Sequence, residues 1–213
     1  MNLVVAVDGP AAAGKGELTR RLARHFNLAR LDTGLLYRAV GWAVLQAKND
    51  PADEGAALAE AEALVAADLE NPDLRSEAAG SAASKVATIP TVRAQLIDFQ
   101  RNFAKHPPDG AKGAVLDGRD IGTVICPDAH AKLFLTATAE IRAERRLKEL
   151  QAKGVEAIGS AVLRDMMERD ARDAQRSVAP LEPAKDAFVL DTSDLDADAV
   201  FAAAVDFISR KVA

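Results

Sequence analysis

The stretch VVAVDGPAAAGKGEL, Val4 to Leu18, limits what this chain can fold into more than any other. Leu3 to Val7 is a short apolar, β-branched run and reads as a buried strand. From Gly14 onward, Leu18, Leu22, Ala23 and Phe26 recur at helical spacing. Between them, Gly9, Pro10, Ala11, Ala12, Ala13, Gly14 and Lys15 fill the first seven positions of a phosphate-binding loop. In a strand–turn–helix setting the backbone N–H groups converge on an anion, and the helix N-terminus adds partial positive charge. Lys15 supplies a mobile full charge for a transferred phosphate. An ordinary strand-to-helix turn is the alternative, and two glycines, the lysine and both flanks together speak against it. The eighth position, where a Ser or Thr hydroxyl usually ligates magnesium, is Gly16, and Glu17 follows it.

The rest of the chain bounds the setting of this loop. With 213 residues, 49% of them hydrophobic, it can bury the core of one α/β domain with a smaller inserted part. A net charge of −5 argues against broad attraction to nucleic acid or an anionic membrane. The single cysteine, Cys126, cannot close an intrachain disulfide, which fits a reducing cytoplasm. No early segment reads as a signal peptide, and no stretch is long and apolar enough to cross a membrane.

Strands alternate with helices along the chain. Short strands are expected at Leu3–Val7, Ala29–Leu31, Ala114–Leu116, Lys132–Leu135 and Phe188–Leu190. Helices are expected from Gly14, at Leu35–Ala47, Thr91–Lys105, from Thr138 or Ala139 to Ala152, Ala161–Gln175 and Asp196–Lys211. That alternation implies an α/β fold with a parallel five-stranded sheet flanked by helices, whose ligands sit at the carboxyl ends of the strands. Residues 49–80 are rich in Ala, Asp and Glu and read as a helical, solvent-facing insert whose acids form a solvated face.

Three arginine–acid stretches stand out beyond the loop. LDTGLLYRAV carries Thr33, Tyr37 and Arg38; LDGRDIGTV carries Asp117, Arg119 and Asp120; ERDARDAQR carries Arg169, Asp170, Arg172, Asp173 and Arg176. Asp117 ends a strand beside the loop, where an acid can hold magnesium or its water shell. Arg169, Arg172 and Arg176 stand at helical spacings of three and seven with Asp173 among them. Alone they would read as a salt-bridged surface helix. Beside a phosphate loop they read as guanidinium forks that gather and orient phosphoryl charge. His25, His106 and His130 are scattered without metal-ligand spacing, and Cys126 and Trp42 read as packing residues.

GPAAAGKG, LDTGLLYR, ASKVATIPTVR, DGRDIGTVICPDA and RDARDAQRSVAPL, in this order, resemble the bacterial cytidylate kinases, which are nucleoside-monophosphate kinases. The match touches the chain from Leu3 to Pro183, whereas the loop alone says only ATP or GTP. The resemblance implies one phosphate-loop kinase unit: a core of about 1–34, 106–149 and 177–213, an inserted helical acceptor-binding region of about 35–105, and a short lid with an arginine-bearing helix at about 150–176. It implies transfer of the γ-phosphate of ATP to CMP or dCMP, with Mg2+, in a cytoplasmic monomer. ATP would lie on Gly9 to Glu17, with Lys15 bridging phosphates and Arg142 and Arg146 bordering it. CMP would meet Thr33, Tyr37, Arg38 and Arg119, and Ser84, Arg93 and Asp120 would read its cytosine. Arg169, Asp173 and Arg176 would address the sugar and phosphate, with Lys15, Arg119, Arg169 and Arg176 as the catalytic charges. Magnesium would reach Asp117 through water.

That family also carries Gly after the loop lysine, which points away from switch GTPases, as does the lack of an Asn-Lys-x-Asp stretch. Two features depart from its pattern. Glu17 stands where Thr is usual, either as a carboxylate that complements the helix dipole or as one that repels ATP. The insert is short and carries little β signal, which opens the choice among CMP, dCMP and UMP. The nearest rival is a small phosphate-loop kinase with another acceptor; a GTP-dependent switch is more remote.

Overall fold

Five short strands carry the molecule in a computed structural model that describes residues 2–176 and 178–212, with only the backbone at Ala66. They are β1 (Leu3–Asp8), β2 (Ala29–Asp32), β3 (Gly113–Asp117), β4 (Ala131–Thr136) and β5 (Phe188–Asp191), and they lie side by side in the order β2-β3-β1-β4-β5. Every pairing is parallel. The expected five-stranded sheet is therefore present, its strands one or two residues longer than their apolar runs. Strand β3 is buried at all five positions, as a central parallel strand covered on both faces must be.

The register decides where chemistry can occur. Val7 and Asp32 both pair with Asp117 across neighbouring strands. Asp8, Asp32 and Asp117 thus reach the same edge, at the carboxyl ends of the strands.

Helices α1 (Lys15–Phe26) and α8 (Ala197–Val212) pack on one face of the sheet. Leu18 and Leu22 of α1 meet Val5, Val7, Leu133 and Ile208 there. Each fully buried leucine in that layer stabilises the fold by about 1.5–3 kcal/mol. Helix α1 ends at Asn27, whose left-handed backbone closes the last turn onto the Ala23 carbonyl. Helix α5 (Pro90–Lys105) covers the opposite face through Ala104 and Ile97.

A second apolar cluster belongs to α2 (Thr33–Gln46), α3 (Glu54–Ala63), α4 (Glu77–Val86) and α5. Here the sequence reading needs correction. The region 49–80 does keep its acids in solvent, but Ala57, Ala61, Leu74 and Ala79 are buried. Small side chains allow the close approach: a Cβ on Gly41 of α2 would stand 2.8 Å from the Ala82 Cβ of α4. The Asn71-Pro72 turn signal lies in a short 3₁₀ stretch, Pro72–Arg75, that buries Leu74. Finally, α6 (Ala139–Ala152) and α7 (Gly159–Ala174) pack on each other through Ala143, Leu150, Val162 and Met166. Helix α7 stops at Ala174, so Arg176 lies beyond it rather than on its face.

Candidate active site

The turn after β1 is built by backbone. Gly9 has φ 140, and a Cβ there would fall 2.0 Å from the Leu135 carbonyl oxygen of β4. Only glycine lets the loop pass that close. Both oxygens of the Asp8 carboxylate are used: the Ile121 and Gly122 amides donate to them at 2.8 and 2.7 Å. These amides open a single π-helical turn, Ile121–Ile125, immediately after Asp120. Asp8 therefore ties the segment carrying Arg119 and Asp120 to the start of the phosphate loop. Burial raises its carboxyl to about 6, against the pull of the two amides.

Lys15 turns back onto its own loop. Its Nζ donates to the Gly9 and Pro10 carbonyls at 2.7 and 2.8 Å. Burial, and then the nearby charge of Arg119, lowers its pKa to about 7. Arg142 shares this arrangement of side chain on backbone, donating to the Ala137 carbonyl at 2.9 Å and to the loop's Ala11 carbonyl at 3.4 Å. Its remaining terminal nitrogen bonds Asp170 at 2.6 Å.

Asp117 stands at the end of β3 beside the loop. Its Oδ2 accepts from the Thr19 hydroxyl at 2.6 Å and from Arg30 at 2.9 Å, while its backbone carbonyl accepts from Thr33 at 2.8 Å. Asp32 lies alongside, its carboxyl raised by burial and by the Asp117 charge. Both are hard oxygen donors. Among the described residues, no group of three or more His, Cys, Asp or Glu is placed to hold a metal. That donor set suits a magnesium ion brought on a nucleotide and met through water by one or two carboxylates, not a resident cage.

The remaining polar side chains pair with one another across elements. Arg119 donates to Asp173 of α7 at 2.8 Å, and Arg176 bonds the other oxygen of the same carboxylate. Burial works against the Asp173 charge, but Arg119, Arg176 and Arg169 outweigh it and hold its carboxyl below the usual value. Arg169 is half-buried, and desolvation together with Arg119 lowers its pKa to about 9; its Nε has no hydrogen-bond partner among the described residues. Arg93 of α5 pairs with Asp120 in a site almost closed to solvent, 5.7 Å above the Tyr37 ring. Burial still raises the Asp120 carboxyl despite that partner. Arg38 donates to the Leu74 and Ser76 carbonyls at 2.7 and 3.1 Å. Ser84 accepts from Arg172 at 3.1 Å, which links α4 to α7.

Most residues singled out in the sequence thus lie at one strand edge and its facing helices. Arg146 differs: it pairs with Glu77 of α4 and with Glu149 at 2.8 Å, not with the phosphate loop. Glu17 is exposed and paired with Arg20 one turn along α1, and it lines the groove beside the loop. Thr19, Arg30 and Asp8 carry the site's connections without having drawn attention in the sequence. Beside the loop, Ala13, Gly14, Leu18, Arg145, Thr192 and Leu195 line a groove at the ends of β5 and α1. Its walls come from segments some 180 residues apart, which no local pattern joins.

This arrangement has known relatives. The cytidylate kinase of Paramagnetospirillum magneticum is 62% identical over 211 residues, covering 99% of this chain and 100% of that protein. That of Rhodospirillum rubrum is 56% identical, covering 98% of each. Solved structures share the fold at low identity: an uncharacterised protein from Eubacterium ventriosum superposes with a TM-score of 0.55 at 14% identity over 98% of this chain and 99% of its own, and TT1252 from Thermus thermophilus with 0.50 at 16% over 100% and 98%. The family model for cytidylate kinase matches residues 5–210, and with these relatives it shows that the chain belongs to the cytidylate kinase family.

Proposed function

We propose that this protein transfers the γ-phosphate of ATP to CMP or dCMP, giving ADP and CDP or dCDP, as a monomer in a reducing cytoplasm. The observation that carries the reading is the arginine–acid cluster around the phosphate loop. Arg119 and Arg169 approach Lys15 closely enough to act on its charge, and Arg119 and Arg176 share Asp173. A site that gathers one buried and three half-buried cations is suited to an anionic ligand, and two phosphates brought face to face supply one.

In this reading the donor phosphates lie on the N–H groups of the Gly9–Gly16 loop other than Pro10 and draw Lys15 off the Gly9 and Pro10 carbonyls. The groove beside Leu18 and Thr192 takes the donor base. Asp117, with Asp32 next to it, holds the water shell of the nucleotide's magnesium. That ion neutralises donor phosphate charge when bound. The acceptor phosphate takes Arg38, Arg119 and Arg176, with Arg169 and Asp173 toward the sugar. Asp120 accepts from the cytosine amino group, and Arg93 and Ser84 donate to its ring carbonyl and nitrogen. Before CMP arrives, Arg93 satisfies Asp120 and Arg172 satisfies Ser84. No general base is needed, because the acceptor is already an anion; the protein's task is to position and to offset charge.

The test is phosphate transfer from Mg-ATP across CMP, dCMP, UMP, AMP and GMP. CMP and dCMP should lead. Faster transfer to AMP or GMP would overturn the roles given to Ser84, Arg93 and Asp120.

A further inference from the structure

We propose that Arg30 is a built-in counter-cation for the metal-facing carboxylates, so that magnesium enters this site only as part of its nucleotide complex. The inference rests on the reading of Asp117 as the carboxylate that meets that magnesium. Arg30 projects from the edge strand β2 across the end of β3. One terminal nitrogen donates to Asp117 Oδ2 at 2.9 Å and stands 3.7 Å from Asp32. Its Nε donates at 2.8 Å to the Thr19 hydroxyl, which itself donates to the same Asp117 oxygen. One guanidinium thus holds Asp117 directly and through a hydroxyl, and stands within ion-pair range of Asp32.

The neighbouring loop position gives this geometry its meaning. A Cβ built on Gly16 would lie 3.6 Å from the Arg30 terminal nitrogen. A hydroxyl-bearing residue there would therefore point toward the guanidinium, in the region where loops of the other kind hold their metal. In this chain a fixed cation replaces both the hydroxyl and the free ion. A hydrated divalent ion approaching without nucleotide meets that charge and two carboxylates already compensated. The donor phosphates bring the extra negative charge that makes the metal's entry favourable. Asp117 keeps Oδ1 outside these bonds, as the oxygen that can accept from metal-bound water.

The experiment titrates Mn2+ into nucleotide-free protein and reads free Mn2+ by electron paramagnetic resonance. It compares wild type, Arg30→Met, Arg30→Gln and Arg30→Lys. Removing the positive charge should tighten Mn2+ binding about tenfold or more in the Met and Gln variants, because two close carboxylates lose their partner. Lys should behave as wild type, and adding Asp117→Asn to Arg30→Met should remove the gain. The proposal is overturned if both neutral variants stay within about twofold of wild type. It is also overturned if Lys binds Mn2+ as Gln does, or if neither neutral variant folds, since Arg30 would then be a strut. The underlying reading is tested apart: Asp117→Asn should raise the Mg2+ needed for half-maximal phosphate transfer. If it does not, Asp117 is misassigned; if it does while the Arg30 variants bind no extra Mn2+, only the counter-cation role fails.

Discussion

On the function proposed above, the donor and acceptor sides of the site are held in different ways. Around the phosphate loop, three charged side chains end largely on backbone. Lys15 bonds the Gly9 and Pro10 carbonyls, Asp8 takes the Ile121 and Gly122 amides, and Arg142 bonds the Ala137 and Ala11 carbonyls. On the acceptor side, charges end mostly on other charges: Arg93 on Asp120, Arg119 and Arg176 on Asp173, Arg146 on Glu77. Backbone partners come with the fold and keep one geometry. Side-chain partners can be exchanged for a ligand's phosphate or base edge as elements move. The donor site is thus pre-shaped, and the acceptor site stores its arginines in pairs that a nucleotide can take over.

The largest effect should follow from the donor side, where nothing can substitute. Lys15→Ala should reduce phosphate transfer by roughly a thousandfold, at the upper end of what one charge-stabilising donor contributes. Lys15→Arg should fare little better, because the niche between the Gly9 and Pro10 carbonyls is shaped for an ammonium. Thermal stability should hold or rise in the alanine variant, since a buried ammonium costs desolvation. An arginine variant with near-native rate would break the claim that this side is inflexible.

Next comes the shared carboxylate. Asp173→Asn leaves Arg119, Arg176 and Arg169 without their common anion in a buried site. Breaking such a cluster from one side costs about 3–5 kcal/mol, or roughly 6–20 °C in melting temperature for a chain of this size. The KM for ATP should change little. A matching loss of ATP affinity would mean that the two sides are one network.

A smaller effect is a proton. In the free protein Lys15 titrates near 7, because burial and Arg119 oppose its charge. Donor phosphates favour the charged form and raise that value. At pH 8 the free lysine is mostly neutral, so ATP binding should take up close to one proton; at pH 6 it is already charged, and uptake should nearly vanish. Calorimetry in buffers of different ionisation enthalpy measures this, with Lys15→Met as the silent control. Heats independent of buffer at pH 8 would place the lysine outside the phosphate site.

The same contrast explains what could be read from the chain. The strands were legible because parallel strands buried on both faces are short apolar runs, and β3 is one. The phosphate loop was legible because its spacing is local. The burial of Ala57, Ala61 and Leu74 was hidden by the acids around them, since alanine buries well yet gives little periodic signal. Arg30 was invisible for another reason. Its partner Asp117 is 87 positions away, and only the β2–β3 register brings them together. Asp8 gave no signal, because its partners are amides, which no sequence displays.

The smallest effect concerns Glu77. Its pairing with Arg146 joins α4 to α6, and the resemblance had put Arg146 on the ATP side. Glu77 is more than half exposed, so the pair contributes less than about 1 kcal/mol, and Glu77→Gln should leave the melting temperature nearly unchanged. Arg146 would keep its bond to Glu149 and lose its tie to the acceptor side. If exchangeable pairs store cations for ligands, that freed guanidinium should lower the KM for ATP, by roughly twofold for one screened charge, with little change in kcat. The change should shrink with added salt, because the contact lies in solvent. A salt-independent rise in KM would mean instead that Glu77 holds Arg146 where ATP needs it, and the acceptor side would then be as pre-shaped as the donor side.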